Sequence, residues 1–213
     1  MKVLSVILSV LIMFSFSCCF AEEIISPSHD FYYYDEIGLL NDELKGEIYF
    51  SNKLLYESCG AQIVVVVLNT TGGKDIKDYC IELFNKWGIG DANKNNGFLL
   101  LLTIQDDDYY ACPGSGLSEM LSPDEIYNML NLYLEPDFAV KNYNSGIQRF
   151  FEAIFAFIAN AYHSEITIQD GIKAFEEYRS IEGIDLSKYS LDELLLLQQR
   201  IISEIQLRTA VDN

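Results

Sequence analysis

Three adjacent aspartates, Asp106, Asp107 and Asp108, follow the apolar run "GFLLLLT" at residues 97–103, with no lysine or arginine beside them. Neighbouring carboxylates repel, and a hard cation relieves that repulsion by collecting several oxygens at one point. Calcium suits such a site, because an extracellular module still fills at a Kd on the order of 10⁻⁴ to 10⁻³ M. Alternate side chains of an extended chain point opposite ways, so Asp106 and Asp108 are the pair able to converge. A solvated hairpin tip is the plainer reading of the same three residues.

Other stretches invite chemistry and offer less. In "DANKNNG", residues 91–97, Asp91, Asn93 and Asn95 alternate like the first ligands of an EF-hand. Glycine comes at position seven instead of six, and Leu102 stands where the bidentate glutamate belongs. A polar connector turning at Asn96-Gly97 is the expectation. "PGSGL", residues 113–117, could turn backbone N–H groups toward an anion, but a lone G-x-G more often makes a turn. His29 and His163 lie near the two ends of the folded region without cysteine or carboxylate partners at metal-ligand spacing. No serine sits in a Gly-x-Ser-x-Gly elbow, which argues against a Ser-His-Asp hydrolase.

The elements that must hold these residues are legible in outline. Asn41, with Asp42 and Glu43 behind it, caps a helix that carries Leu44, Ile48 and Leu55 and stops at Gly60. "AQIVVVVLN" (61–69) is apolar without alternation, the pattern of a strand covered on both faces. A second helix spans 74–87, with Ile76, Tyr79, Cys80, Leu83, Phe84 and Trp87 as its stripe and Gly88 as its stop. Residues 97–103 and 109–112 form a hairpin through the aspartates. Ser122, Pro123 and Glu125 make a capping box for a third helix, which Pro136 ends. A fourth runs from about Ser145 to Tyr162, burying Ile147, Phe150, Phe151, Ile154 and Ile158. That order predicts an α/β/α sandwich, a small central sheet flanked by helices. Residues 164–213 show no strand signal. A second capping box at Ser190 and Glu193 precedes Leu194, Leu197, Ile201 and Ile205, so a C-terminal helical extension is expected, packed on the domain or kept for a partner.

Lys2, an apolar run from Val3 to Phe16 and a small residue at Ala21 have the layout of a secretory signal peptide, residues 1–21. The run is shorter than a membrane span requires. Lipid anchoring through Cys18 or Cys19 competes, although Ser15, Phe16 and Ser17 lack the usual leucine. Residues 22–29 then form a linker, 30–163 the domain and 164–213 the extension, in a secreted or cell-envelope protein without a transmembrane anchor after cleavage. The chain holds 14 basic and 32 acidic residues, a formal charge of −18, which excludes nucleic acid and anionic membrane as natural partners. Half the residues are hydrophobic, so this is a folded chain. Cys59, Cys80 and Cys112 remain after cleavage, an odd number expected as core thiols unless two of them pair.

In order, "YDEIGLL", "AQIVVVVL", "DYCIELFNKWGIG", "NNGFLLLL", Asp106 and "GSGL" resemble the TPM domain family, over roughly residues 30–162. Trp-Gly-Ile-Gly, then Asn-Gly, then the four-leucine strand is the most specific part, and "EPDFAVKNYNSGI" is similar to the family's stretch after its third helix. The resemblance implies the α/β/α sandwich, an acidic cluster that binds calcium in some members, and weak acid phosphatase activity in some. It carries Asp35 and Asp106 into the candidate metal set of Asp35, Asp106, Asp107 and Asp108. Asp107 stands where the family commonly has arginine, which weakens a phosphate site and leaves a cation site intact. Two functions are therefore expected. One is a non-enzymatic, calcium-binding interaction or assembly module whose C-terminal helices meet other envelope proteins. The other is a metal-dependent acid phosphatase acting on phosphomonoesters.

Overall fold

The computed structural model describes residues 24–27 and 31–182. The signal segment, His29 and the Ser190–Glu193 capping box lie outside the described residues. Helix α1 (Asp42–Cys59) begins where the Asn41 side chain accepts from the Leu44 N–H at 2.8 Å and ends where left-handed Gly60 (φ 78°) returns its N–H to Tyr56. Strands β2 (Gln62–Leu68) and β3 (Gly97–Thr103) pair in parallel over their whole length. Their unbroken apolar character has a direct cause. Ile63, Val65, Val67, Phe98, Leu100 and Leu102 pack to one side, while Val64, Val66, Leu68, Leu99 and Leu101 pack to the other. Strand β4 (Asp108–Pro113) closes an antiparallel hairpin on β3, as the aspartate turn predicts.

A short strand that the sequence pattern does not announce, β1 (Tyr33–Asp35), pairs with β2 at the edge, giving the order β1-β2-β3-β4. Helix α2 (Ile76–Trp87) starts two residues later than its periodicity suggests, because Asp75 is the cap and accepts from the Asp78 N–H. It is the one helix among the described residues on its face of the sheet, where it buries Tyr79, Cys80, Leu83 and Trp87. Ile24 and Ile25, expected in a linker, pack there too, and the Trp87 indole donates to the Ile25 carbonyl at 2.9 Å. The other face carries α1 and the helices after β4. Strands β1, β2 and β3 are adjacent and parallel while α1 and α2 lie on opposite faces, so the two crossovers have opposite hands, an exception to the right-handed rule. Asn52 ties α1 to β2: its side chain bonds both the N–H and the carbonyl of Ile63, at 2.7 and 2.9 Å.

The helix after the capping box does not end at Pro136. A short α3 (Ser115–Ser118) precedes α4 (Pro123–Met129), which continues through a π turn at Leu130–Leu134 into α5 (Glu135–Phe138). Proline has no N–H to give the carbonyl four residues back, and the wider π turn accommodates its ring. The Leu132 carbonyl receives the Arg149 guanidinium instead, at 3.3 Å. Helix α6 (Tyr143–Ala161) buries Ile147, Phe150, Phe151, Ile154 and Ile158 as its spacing predicts. Each buried phenylalanine contributes about 2–3 kcal/mol of hydrophobic stabilisation.

The first part of the extension, α7 (Ile168–Glu182), lies against α1. Two glycines permit the approach: a Cβ on Gly46 would stand 2.3 Å from the Phe175 ring, and one on Gly171 2.0 Å from Ser51 Oγ. Phe175 and Tyr178 flank Phe50, with ring centroids 5.8 and 5.3 Å from it. This apolar face is therefore used within the chain. No helix among the described residues is long and apolar enough to cross a membrane.

Candidate functional site

Strands β1, β2 and β3 end at the same edge of the sheet, the edge from which open α/β sheets take ligands. Polar side chains lace it together. Glu36 accepts from the Asn69 N–H at 2.7 Å, and the Asn69 amide donates to Gln105 at 2.8 Å. Asp106 is the principal tie: Oδ1 accepts from the Thr70 hydroxyl at 2.8 Å and Oδ2 from the Thr71 N–H at 2.9 Å. The turn that holds it closes at Asp107, whose left-handed backbone (φ 55°) aspartate tolerates better than most residues. The side chain of Asp107 is exposed at the tip. Asp108 pairs with Thr103 across the hairpin, and among the described residues its Oδ1 accepts only the neighbouring Tyr109 N–H, at 2.8 Å.

Asp106 and Asp108 line one open cleft of about 430 Å³ with Thr71, Gly73, Lys74, Asp75, Ile76 and Thr103. The structure thus brings together two of the four expected aspartates and adds Asp75, which the sequence reading passes over. Only the crossover that delivers the start of α2 to the end of β3 places Asp75 there, and no spacing rule foretells it. Asp35 stands apart. It follows the alternation of Tyr33 toward the α1 face, and both oxygens accept backbone N–H groups, from Leu39 at 2.9 Å and Leu40 at 2.8 Å. Its side chain is 3% exposed, with Lys45 Nζ 3.5 Å away. In this position it secures the turn into α1.

The residues at the cleft fit calcium in a limited way. Among the described residues no three His, Cys, Asp or Glu side chains form a ready cage. Asp106 keeps a free lone pair on each oxygen after its two bonds. Thr71 donates its hydroxyl proton to the Lys74 carbonyl, so its oxygen keeps lone pairs for a cation, while wholly buried Thr103 donates to the Asp108 carbonyl and braces the hairpin. Lys74, on the rim, pairs with Glu82. A loosely held, largely hydrated ion suits this donor set.

The remaining candidates resolve into structure. Asp91 Oδ1 accepts the N–H groups of Asn93 and Lys94 within its own loop, and those bonds, Lys94 first, hold its carboxyl below the usual range. Asn95, not Gly97, takes the left-handed conformation (φ 49°), while buried Asn96 joins the loop to Asp91 and Cys59. The glycines of "PGSGL" let two loops touch: Cβ atoms on Gly114 and Gly116 would stand 2.2 Å from the Asn95 carbonyl and 1.9 Å from that of Lys94. Their N–H groups bond Gly97 and Asn95 carbonyls, so they do not face an anion. His163 lies in the turn just past α6, beside Ser164, which meets Ser58 near the close of α1. A larger groove, about 630 Å³ between α1 and α7, holds none of the expected site residues. Its aromatic walls and the Arg179–Glu43 pair belong to the docking of α7.

A four-stranded mixed sheet with helices on both faces defines the fold class. The TPM domain model matches residues 33–157, more than half of the chain, and the protein belongs to that family. The chain is similar to the solution NMR structure of the N-terminal domain of a P. gingivalis protein, with TM-score 0.57 and 22% identity over 63% of this chain and 86% of that one. It also matches the NMR structure of BA42 protein from Bizionia argentinensis (TM-score 0.49, 17% identity, 61% of this chain and 92% of that one). The first likeness shows the fold. No curated protein matches the chain.

Proposed function

We propose that this TPM-domain protein is an exported, non-enzymatic binding module whose cleft at Asp75, Asp106 and Asp108 takes up calcium and whose partner is another envelope protein. One observation carries the cation reading: Asp106 and Asp108 share a cleft with the Thr71 hydroxyl oxygen, whose proton is already donated to the Lys74 carbonyl. A cation there would brace the turns after β2 and β3 and stiffen one end of the sheet. Export rests on the signal-like residues 1–21. The partner surface is the stretch beyond α7, where Leu194, Leu197, Ile201 and Ile205 recur at helical spacing.

Thermal unfolding in calcium, magnesium and chelator tests the module, for wild type and Asp108→Asn, since among the described residues the Asp108 side chain bonds only its neighbour's N–H, whereas Asp75 caps α2 and Asp106 ties two turns together. With Kd about 10⁻³ M and about 10 mM calcium, the native state gains about 1.4 kcal/mol, which moves the midpoint by roughly 3–6 °C. The shift should vanish in Asp108→Asn. Identical midpoints in calcium and chelator for wild type would remove the cation from the proposal.

A second reading, the metal-dependent acid phosphatase, is favoured by Lys74, a cation lining the same cleft as the two aspartates. A bound metal would supply Lewis-acid polarisation of a phosphoryl oxygen. Asp106 and Asp108 would hold it, and Lys74 would orient the phosphate. Calcium- or magnesium-dependent hydrolysis of p-nitrophenyl phosphate, lost in both Asp108→Asn and Lys74→Met, would establish this reading over the first.

A further inference from the structure

We infer that Cys80 and Cys112 form a disulfide site, with Cys112 as the point of entry for the oxidant and Cys80 as the resolving thiol. The two sulfurs lie 3.3 Å apart between α2 and β4. Bond formation needs them about 1.3 Å closer, toward the usual 2.05 Å. The one other thiol among the described residues does not compete. Cys59 belongs to the core on the other face, where its sulfur contacts the Leu55 carbonyl at 3.3 Å.

The two sulfurs differ in access. Cys80 is 0% exposed and Cys112 is 8% exposed. Cys112 also lines a cleft of about 250 Å³ with Ile81, Phe84, Asn95 and Pro113, so a small disulfide reaches it and not Cys80. The partner reagent is therefore an exogenous disulfide, for which glutathione disulfide is the probe. The Cys112 thiolate attacks one of its sulfurs, forms a mixed disulfide and releases the first glutathione thiolate. Cys80 gives its proton to solvent, attacks the Cys112 sulfur and expels the second. Two electrons pass to glutathione disulfide, which leaves as two thiols. Burial, and then the neighbouring Cys112, raise the Cys80 thiol well above its ordinary pKa, so the second step quickens as pH rises.

The bond would join α2, which Asp75 caps, to β4, which begins at Asp108, and so tie the walls of the acidic cleft together. It would persist in the oxidising compartment proposed above.

The full chain, incubated with glutathione disulfide, quenched and alkylated in denaturant, gives the test by peptide mapping. The expected product links Cys80 to Cys112, leaves Cys59 fully alkylated, and melts about 10 °C above the reduced chain, as closing a loop of this length predicts. Cys80→Ser should trap glutathione on Cys112, whereas Cys112→Ser should leave Cys80 unmodified. If wild-type Cys80 and Cys112 are alkylated as completely as Cys59 after oxidation, or if Cys59 enters the bond, the inference is overturned. The wild-type map alone decides this should a variant fail to fold.

Discussion

Raising the pH should weaken this protein through one buried carboxyl, that of Glu47. The residue lies on α1 at 4% exposure, where Oε2 accepts from Gln148 Nε2 at 2.8 Å and buried Oε1 has no hydrogen-bond partner among the described residues. Burial, and then repulsion from Glu152, raise its pKa from 4.5 to about 7, against the opposing pull of Gln148. The folded state thus binds this proton more tightly than the unfolded state. Its stabilising effect is complete below about pH 4.5 and is lost as the pH rises toward 7. At 1.36 kcal/mol per pKa unit the loss is about 3 kcal/mol at most, or roughly 6–12 °C in midpoint for a chain of this size. Glu47→Gln keeps an acceptor for Gln148 and removes the charge. Circular-dichroism melts of both proteins from pH 5 to 8 isolate the effect, since other carboxylates cancel in the difference. The variant should match wild type near pH 5 and exceed it increasingly toward pH 8. A flat difference across that range, or one of opposite sign, would refute the reasoning.

Asp35→Ala should cost about 2–4 kcal/mol, because the Leu39 and Leu40 N–H groups lose their shared acceptor. Denaturant unfolding measures this, and calcium affinity should not change, since Asp35 faces away from the cleft. Gly171→Ala should release α7 from α1, because the new methyl would meet Ser51 Cα at 2.7 Å. Hydrogen exchange should then speed up in residues 168–182 while β2 and β3 stay protected; wild-type protection in α7 would show that the contact does not hold it.

Local chemistry made most elements legible. Asn41 and Gly60 bound α1, and Ser122 with Glu125 begins α4, because caps act within four residues of the backbone they satisfy. The valine and leucine runs read as central strands because both faces of the sheet are covered. What escaped depends on distant partners. β1 is three residues long and exists through β2, and Pro136 stays helical because a π turn and Arg149 compensate for it. The acidic site was half legible for the same reason. Alternation pairs Asp106 and Asp108 in the sequence, but it is the turn with left-handed Asp107 that brings them to one cleft, Asp75 joins them through the fold, and Asp35 turns to the opposite face. Likewise, no spacing rule pairs Cys80 with Cys112 across 32 residues.

The most direct measurement is a calcium titration of the ¹⁵N-labelled protein followed by amide chemical shifts, with Asp108→Asn alongside. The proposal predicts saturable shifts centred on Thr71, Asp75 and Asp106 to Tyr109, with Kd on the order of 10⁻⁴ to 10⁻³ M, and their loss in the variant. Shifts that stay linear in calcium and scatter over the acidic surface, equal in both proteins, would contradict it.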